Sequence, residues 1–170
     1  MKIIIPILLF FFLAFNGFSQ SRLKGAKLFQ VGLGFRGSSL FLECYTGKSF
    51  DKTVKALFGG GIGVGSQPGI SYKYVYADGI GVVNLRSSKK SYYINLLGGI
   101  SLIGDYKGDF KTAKYQSTAS FNYGALAGAE AEFVVSKQLN FVLSAVQRYY
   151  VREDFGSWRY QVSASARFNF

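Results

Sequence analysis

The chain closes on Trp158-Arg159-Tyr160-Gln161-Val162-Ser163-Ala164-Ser165-Ala166-Arg167-Phe168-Asn169-Phe170. With a period of two, Trp158, Tyr160, Val162, Ala164, Ala166, Phe168 and Phe170 share one face. Arg159, Gln161, Ser163, Ser165, Arg167 and Asn169 share the other. Successive side chains of a strand point to opposite sides, so this segment is a strand with one apolar and one polar face. Half-buried strands of soluble proteins alternate in the same way. Here the apolar face carries aromatics at both ends and small residues between them. That is the profile of a strand crossing a bilayer, with aromatic girdles at the interfaces and a polar interior behind it.

At the opposite end, Lys2 precedes the apolar run Ile3 to Phe15, and Asn16-Gly17-Phe18-Ser19 leads into Gln20. This is the layout of a secretory signal peptide, expected over residues 1–19, with residues 20–170 as one barrel domain. The run is shorter than the about 20 residues of a spanning helix and contains Pro6. No cysteine follows it, so it is not a lipoprotein signal. The single cysteine, Cys44, cannot form an intramolecular disulfide and reads as a small apolar filler. The sequence has no histidine, which removes the commonest general base and metal ligand. No catalytic, cofactor-binding or metal-binding residues are assigned, and the chain reads as a non-enzyme.

Alternation recurs over Lys27 to Arg36, Ser39 to Thr46, Thr53 to Gly65, Ile70 to Leu85, Ser91 to Tyr106, Phe121 to Val135 and Leu139 to Val151. Turns are expected at Gly37-Ser38, Gly47 to Lys52, Ser66 to Gly69, Arg86 to Lys90, Ser136 to Gln138 and Arg152 to Ser157. Lys107 to Ser120 is the longest connection. No amphipathic helix is present. With the closing strand this makes eight, so the predicted fold is all-β: an eight-stranded antiparallel up-and-down transmembrane β-barrel. An even count puts both termini on one side.

Two segments carry residues unusual for their faces. Gly59, Gly61, Gly63 and Gly65 share the inward face of the third strand with Lys55 and Leu57. No G-x-G-x-x-G can be placed there and no helix follows, so phosphate binding is disfavoured. Inward glycines instead make room for bulky side chains in a narrow barrel. In the fourth strand, Tyr72, Tyr74, Tyr76, Ile80 and Val82 form the face expected to meet lipid, but Asp78 shares it. Either a bulge near Asp78-Gly79 turns the carboxylate inward or Asp78-Gly79 is a hairpin turn. The bulge is preferred, because a turn leaves strands too short to span.

The inward charges include Glu43, Lys55, Glu130, Glu132, Arg148, Arg159 and Arg167. An eight-stranded interior is just filled by side chains, and buried charges need partners. A lumen charge network of Glu43, Glu130 and Glu132 with Arg148, Arg159 and Arg167 is therefore expected, rather than a catalytic carboxylate pair. Lys48, Lys52 and Lys55, then Lys89 and Lys90, then Lys107, Lys111 and Lys114 form loose clusters near turns. They form no continuous stripe with interleaved aromatics, so DNA contact is disfavoured. Outer-leaflet lipid, including lipopolysaccharide phosphate, and acidic partner surfaces are the expected counterparts.

The aromatic C-terminus resembles the closing strand of outer-membrane barrels, which implies that Phe168 and Phe170 are an assembly signal read by the barrel-assembly machinery. From Tyr76 onward the chain also resembles the TraO family of conjugative transposon proteins from Bacteroidetes. The resemblance is carried by Tyr76-Ala77-Asp78-Gly79-Ile80-Gly81, by Leu96 to Tyr106 (LLGGISLIGDY), by Ser120-Phe121-Asn122-Tyr123-Gly124-Ala125, and by Ala164 to Phe170 (ASARFNF). It implies an outer-membrane component of a conjugation apparatus in a Gram-negative bacterium, anchoring or bracing the complex beside other conjugation proteins. A small barrel with an adhesin or envelope-stabilising role is the alternative.

Overall fold

A computed structural model describes residues 25–67, 70–87, 92–109, 118–151 and 158–170. The expected signal peptide, Pro68-Gly69, Lys89, Lys90, Lys111, Lys114 and the segment 152–157 lie outside them. The elements are β1 (Lys27–Arg36), β2 (Ser39–Ser49), β3 (Val54–Gln67), β4 (Ile70–Ser87), β5 (Tyr92–Asp109), β6 (Thr118–Val134), β7 (Leu139–Tyr150) and β8 (Trp158–Asn169). Each pairs antiparallel with its sequence neighbours, and β8 closes on β1 through Phe29↔Phe168, Val31↔Ala166, Leu33↔Ala164 and Phe35↔Val162. The sheet is a closed up-and-down barrel of eight strands, as predicted.

Several strands run further than their apolar alternation. β2 continues through Gly47 and Lys48 to Ser49, and β4 reaches Ser87. β5 and β6 extend to Asp109 and back from Thr118, which shortens the connection expected over Lys107 to Ser120. Hydropathy marks only the band that meets lipid, whereas ladder pairing continues into the polar rims because backbone groups still need partners there.

The shell is apolar outside. Leu33, Phe35, Phe58, Ile62, Ile100, Phe121, Trp158, Tyr160 and Val162 are each more than half exposed, and they belong to an exposed hydrophobic set contributed by every strand. An apolar surface encircling the molecule is far beyond the isolated patches tolerated in water, so the barrel is built to stand in a bilayer. The strands, 10 to 18 residues long, suffice to cross it.

β4 departs from the sequence expectation. Tyr74, Tyr76, Asp78, Ile80 and Val82 are all buried inside, and Lys73, Val75, Ala77 and Val83 face outward. There is neither a bulge nor a turn at Asp78-Gly79. The β4–β5 register is continuous through Asp78↔Ser101 and Gly79↔Ile100, and shifts only between Asn84 and Arg86. The cause lies on β3. Gly61, Gly63 and Gly65 stand opposite Tyr76, Tyr74 and Tyr72, and the rings lean over them. A Cβ at Gly61 would stand 2.7 Å from the Tyr76 hydroxyl oxygen, and one at Gly65 2.6 Å from Tyr72 Cζ. The three rings stack on each other at 6.3 and 6.2 Å between centroids. The glycines do make room, but for rings of the adjacent strand rather than for side chains reaching across.

A charge-compensated lumen as the candidate functional site

The lumen is filled by two interlocked polar clusters and apolar rungs. At the end nearer the termini, β6 presents Glu130 and Glu132, two residues apart and therefore on one face. Arg167 of β8 donates from Nη2 to Glu130 Oε2 at 2.7 Å, and from Nη1 to Glu130 Oε1 at 2.8 Å and Glu132 Oε2 at 3.2 Å. Its Nε donates to Gln30 Oε1 at 2.8 Å. Lys55 of β3 pairs with Glu132 at 2.6 Å. Asn95 donates to Glu130 at 2.7 Å and Asn140 donates to Glu132 Oε1. All four carboxylate oxygens thus accept hydrogen bonds. A pair so enclosed offers no free oxygen to a substrate.

The second cluster centres on Gln161 of β8. Arg148 of β7 pairs with Asp78 at 2.5 Å, and Tyr45 donates to the same Asp78 oxygen at 2.8 Å. Gln161 Oε1 accepts from Arg148 and, at 3.2 Å, from Arg36. Its Nε2 donates to Glu43 at 3.2 Å. Ser163 and Ser165 donate to Glu43 Oε1 at 2.8 and 2.9 Å, and the Tyr76 hydroxyl to Oε2 at 3.3 Å. Nearer the other mouth, Arg159 of β8 meets Asp105 of β5 at 3.0 Å. A space of about 20 Å³ is left between the clusters, bounded by Glu43, Tyr45, Glu130, Arg148 and Gln161 among others. It could hold about one water and is no passage.

Every residue of the predicted network therefore lies inside, with partners partly different from those expected. Glu130 and Glu132 meet Arg167. Arg148 and Arg159 are instead taken by Asp78 and Asp105, and Glu43 is held by neutral donors. Asp78 is inside as the preferred reading had it, but because the whole face of β4 turns inward and not through a bulge, and Arg36 was left out of the expected network. What places Asp78 inside is its pairing with Gly59, in line with the glycines that face the tyrosines.

Among the described residues, the lumen holds Arg36, Lys55, Arg148, Arg159 and Arg167 against Glu43, Asp78, Asp105, Glu130 and Glu132. These cancel. The formal net charge of +11 must therefore sit elsewhere. On the terminus-bearing rim, Lys27, Lys48, Lys52, Arg86 and Lys137 are exposed, with Asp51 the acidic residue among them.

Phe168 packs beside Phe29 on the outer surface, with ring centroids 6.5 Å apart. Phe170 exchanges two backbone hydrogen bonds with Lys27, at 2.8 and 3.0 Å. The last residue is thereby tied to the first strand.

With this architecture, the chain is similar to several solved structures. One is the N-terminal β-barrel domain of OprF from Pseudomonas aeruginosa, with a TM-score of 0.65 and 10% identity over 86% of this chain and 98% of that one. Another is Neisserial surface protein A, with a TM-score of 0.65 and 11% identity over 89% and 100%. A third is a major outer membrane protein from Thermus thermophilus, with a TM-score of 0.68 and 12% identity over 87% and 100%. That likeness is one of fold. No family model and no curated protein matches the chain.

Proposed function

We propose that the chain is a small, non-catalytic outer-membrane barrel that acts through its ends as an adhesin or envelope-stabilising protein and passes no solute through its centre. The observation that carries this reading is the lumen, closed by salt bridges and hydrogen bonds from Arg167 to Arg148. An apolar exterior and the fold likeness to outer-membrane proteins support the location. The purified protein should migrate differently on gels before and after boiling, and should show little steady conductance in planar bilayers. A large stable pore from the monomer would overturn the plugged-lumen reading, and recovery with the inner membrane would overturn the location.

A narrower reading rests on the motifs of residues 76–170. By their resemblance to the TraO family, the barrel anchors or braces a conjugative transfer apparatus beside other conjugation proteins, without contacting DNA. Deleting the gene should then lower transfer frequency and leave growth unchanged. Unchanged transfer would leave the adhesin or envelope-stabilising role standing.

A further inference from the structure

Among the described residues, four of the five lumen cations are in salt bridges: Lys55 with Glu132, Arg148 with Asp78, Arg159 with Asp105 and Arg167 with Glu130. Arg36 is different. It is the last residue of β1 and only 5% exposed, yet no described carboxylate pairs with it. One nitrogen donates to Gln161, whose other contacts are to Arg148, Glu43 and Tyr76. Its guanidinium carbon lies 4.4 and 5.0 Å from the ring centres of Tyr74 and Tyr76. Among the described residues, Nε and Nη1 have no hydrogen-bond partner. A buried guanidinium with two idle donors is costly unless an anion completes it.

Arg36 also lines a cavity of about 270 Å³ at the lumen mouth, together with Ser38, Tyr72, Trp158, Arg159 and Tyr160. We propose that this cavity binds a phosphorylated sugar. The guanidinium fork of Arg36 matches a phosphate oxyanion, and Arg159, steadied by Asp105, adds positive potential beside it. Trp158 and Tyr160 supply flat aromatic faces with polar edges, suited to a sugar ring. Both are more than 60% exposed on the outer surface of the shell. The cavity therefore opens where the barrel wall meets the interface, at the level of lipid headgroups. Phosphorylated sugar reaches such a site either as the headgroup of a glycolipid or as a soluble sugar phosphate. The first source rests on the outer-membrane placement proposed above, and the site itself does not.

Trp158 is the one tryptophan of the sequence, so tryptophan emission reports on the surroundings of a residue that lines this cavity. Glucose 1-phosphate added to the protein in a detergent free of phosphate and sugar should shift the emission saturably, and glucose should not. Arg36→Met should weaken the response about tenfold or more, and Arg36→Lys should weaken it less. Lys48→Met, on the opposite rim, should leave it unchanged. Heat-modifiable migration on gels checks folding of each variant. Should Arg36→Met fail to fold, phosphorus NMR of glucose 1-phosphate with the wild-type protein replaces it, with line broadening that glucose does not relieve and inorganic phosphate does. Absence of a saturable response in the wild type, or an equal response in folded Arg36→Met, overturns the proposal. In nanodiscs containing lipid A, loss of the glucose 1-phosphate response identifies the glycolipid as occupant. An undiminished response identifies a soluble sugar phosphate.

Discussion

Arg167 holds Glu130 with both terminal guanidinium nitrogens, at 2.8 and 2.7 Å, although the two residues lie on β8 and β6 and are not on adjacent strands. The pair reaches over β7 and ties the closing strand to the strand beyond its neighbour. Removing one partner leaves a charge stranded in a site closed to water. Arg167→Met should destabilise the barrel by about 3–5 kcal/mol, read as a lower urea midpoint in lipid vesicles. Glu130→Met added to it should recover part of the loss. A double variant as unstable as the sum of the singles would show that the two do not act as a pair.

The ring-on-glycine ladder makes an equally specific prediction. Gly63 stands opposite Tyr74, whose ring occupies the place a β-carbon would take. Gly63→Ala should cost about 1–3 kcal/mol by overpacking. With Tyr74→Ala already in place, the same change should cost much less. Urea unfolding of the four proteins of this cycle gives the coupling.

Ala164 lies between Leu33 and Leu143 on the outer face of the closing strand. Ala164→Arg places a charge in the lipid near mid-bilayer and should cost about 2–4 kcal/mol. Ser163→Arg points inward and should be limited by interior space instead, since Ser163 donates to Glu43. Equal vesicle stability of Ala164→Arg and the unaltered protein would reverse the facing of β8.

Deleting Phe170 removes both backbone bonds to Lys27 at the β1–β8 seam and the aromatic end proposed as an assembly signal. Export should continue, while the amount of heat-modifiable protein in the outer membrane should fall. Normal membrane levels would sink the assembly role given to Phe168 and Phe170.

The fold was legible because β1, β2 and β5 to β8 present faces of opposite character. Arg167 and Phe168 cannot exchange sides without putting a guanidinium in lipid. β4 was not legible by the same rule. A tyrosine has an apolar ring and a polar tip, so Tyr72, Tyr74 and Tyr76 suit an interfacial girdle and a lumen equally well. What decides between them is the run of glycines on the neighbouring strand, which is pairing information and not local pattern. The lumen partners were hidden for the same reason. Arg148 and Asp78 are 70 residues apart, and nothing short of the register puts them in contact. In the sequence Arg36 is one more polar residue at a strand end, and only the pairing of the other described lumen cations sets it apart.

The neutral lumen and lysine-bearing rim also set a direction. A barrel that enters a bilayer from the side where its termini remain must push its other end across. The end that stays behind carries Lys27, Lys48, Lys52, Arg86 and Lys137, with Asp51 the acidic residue among them. Among the described residues, the lumen contributes no net charge of its own. With those five cations set against a single carboxylate, the basic rim resists following the rest of the barrel across. The barrel thereby carries a stop at one end.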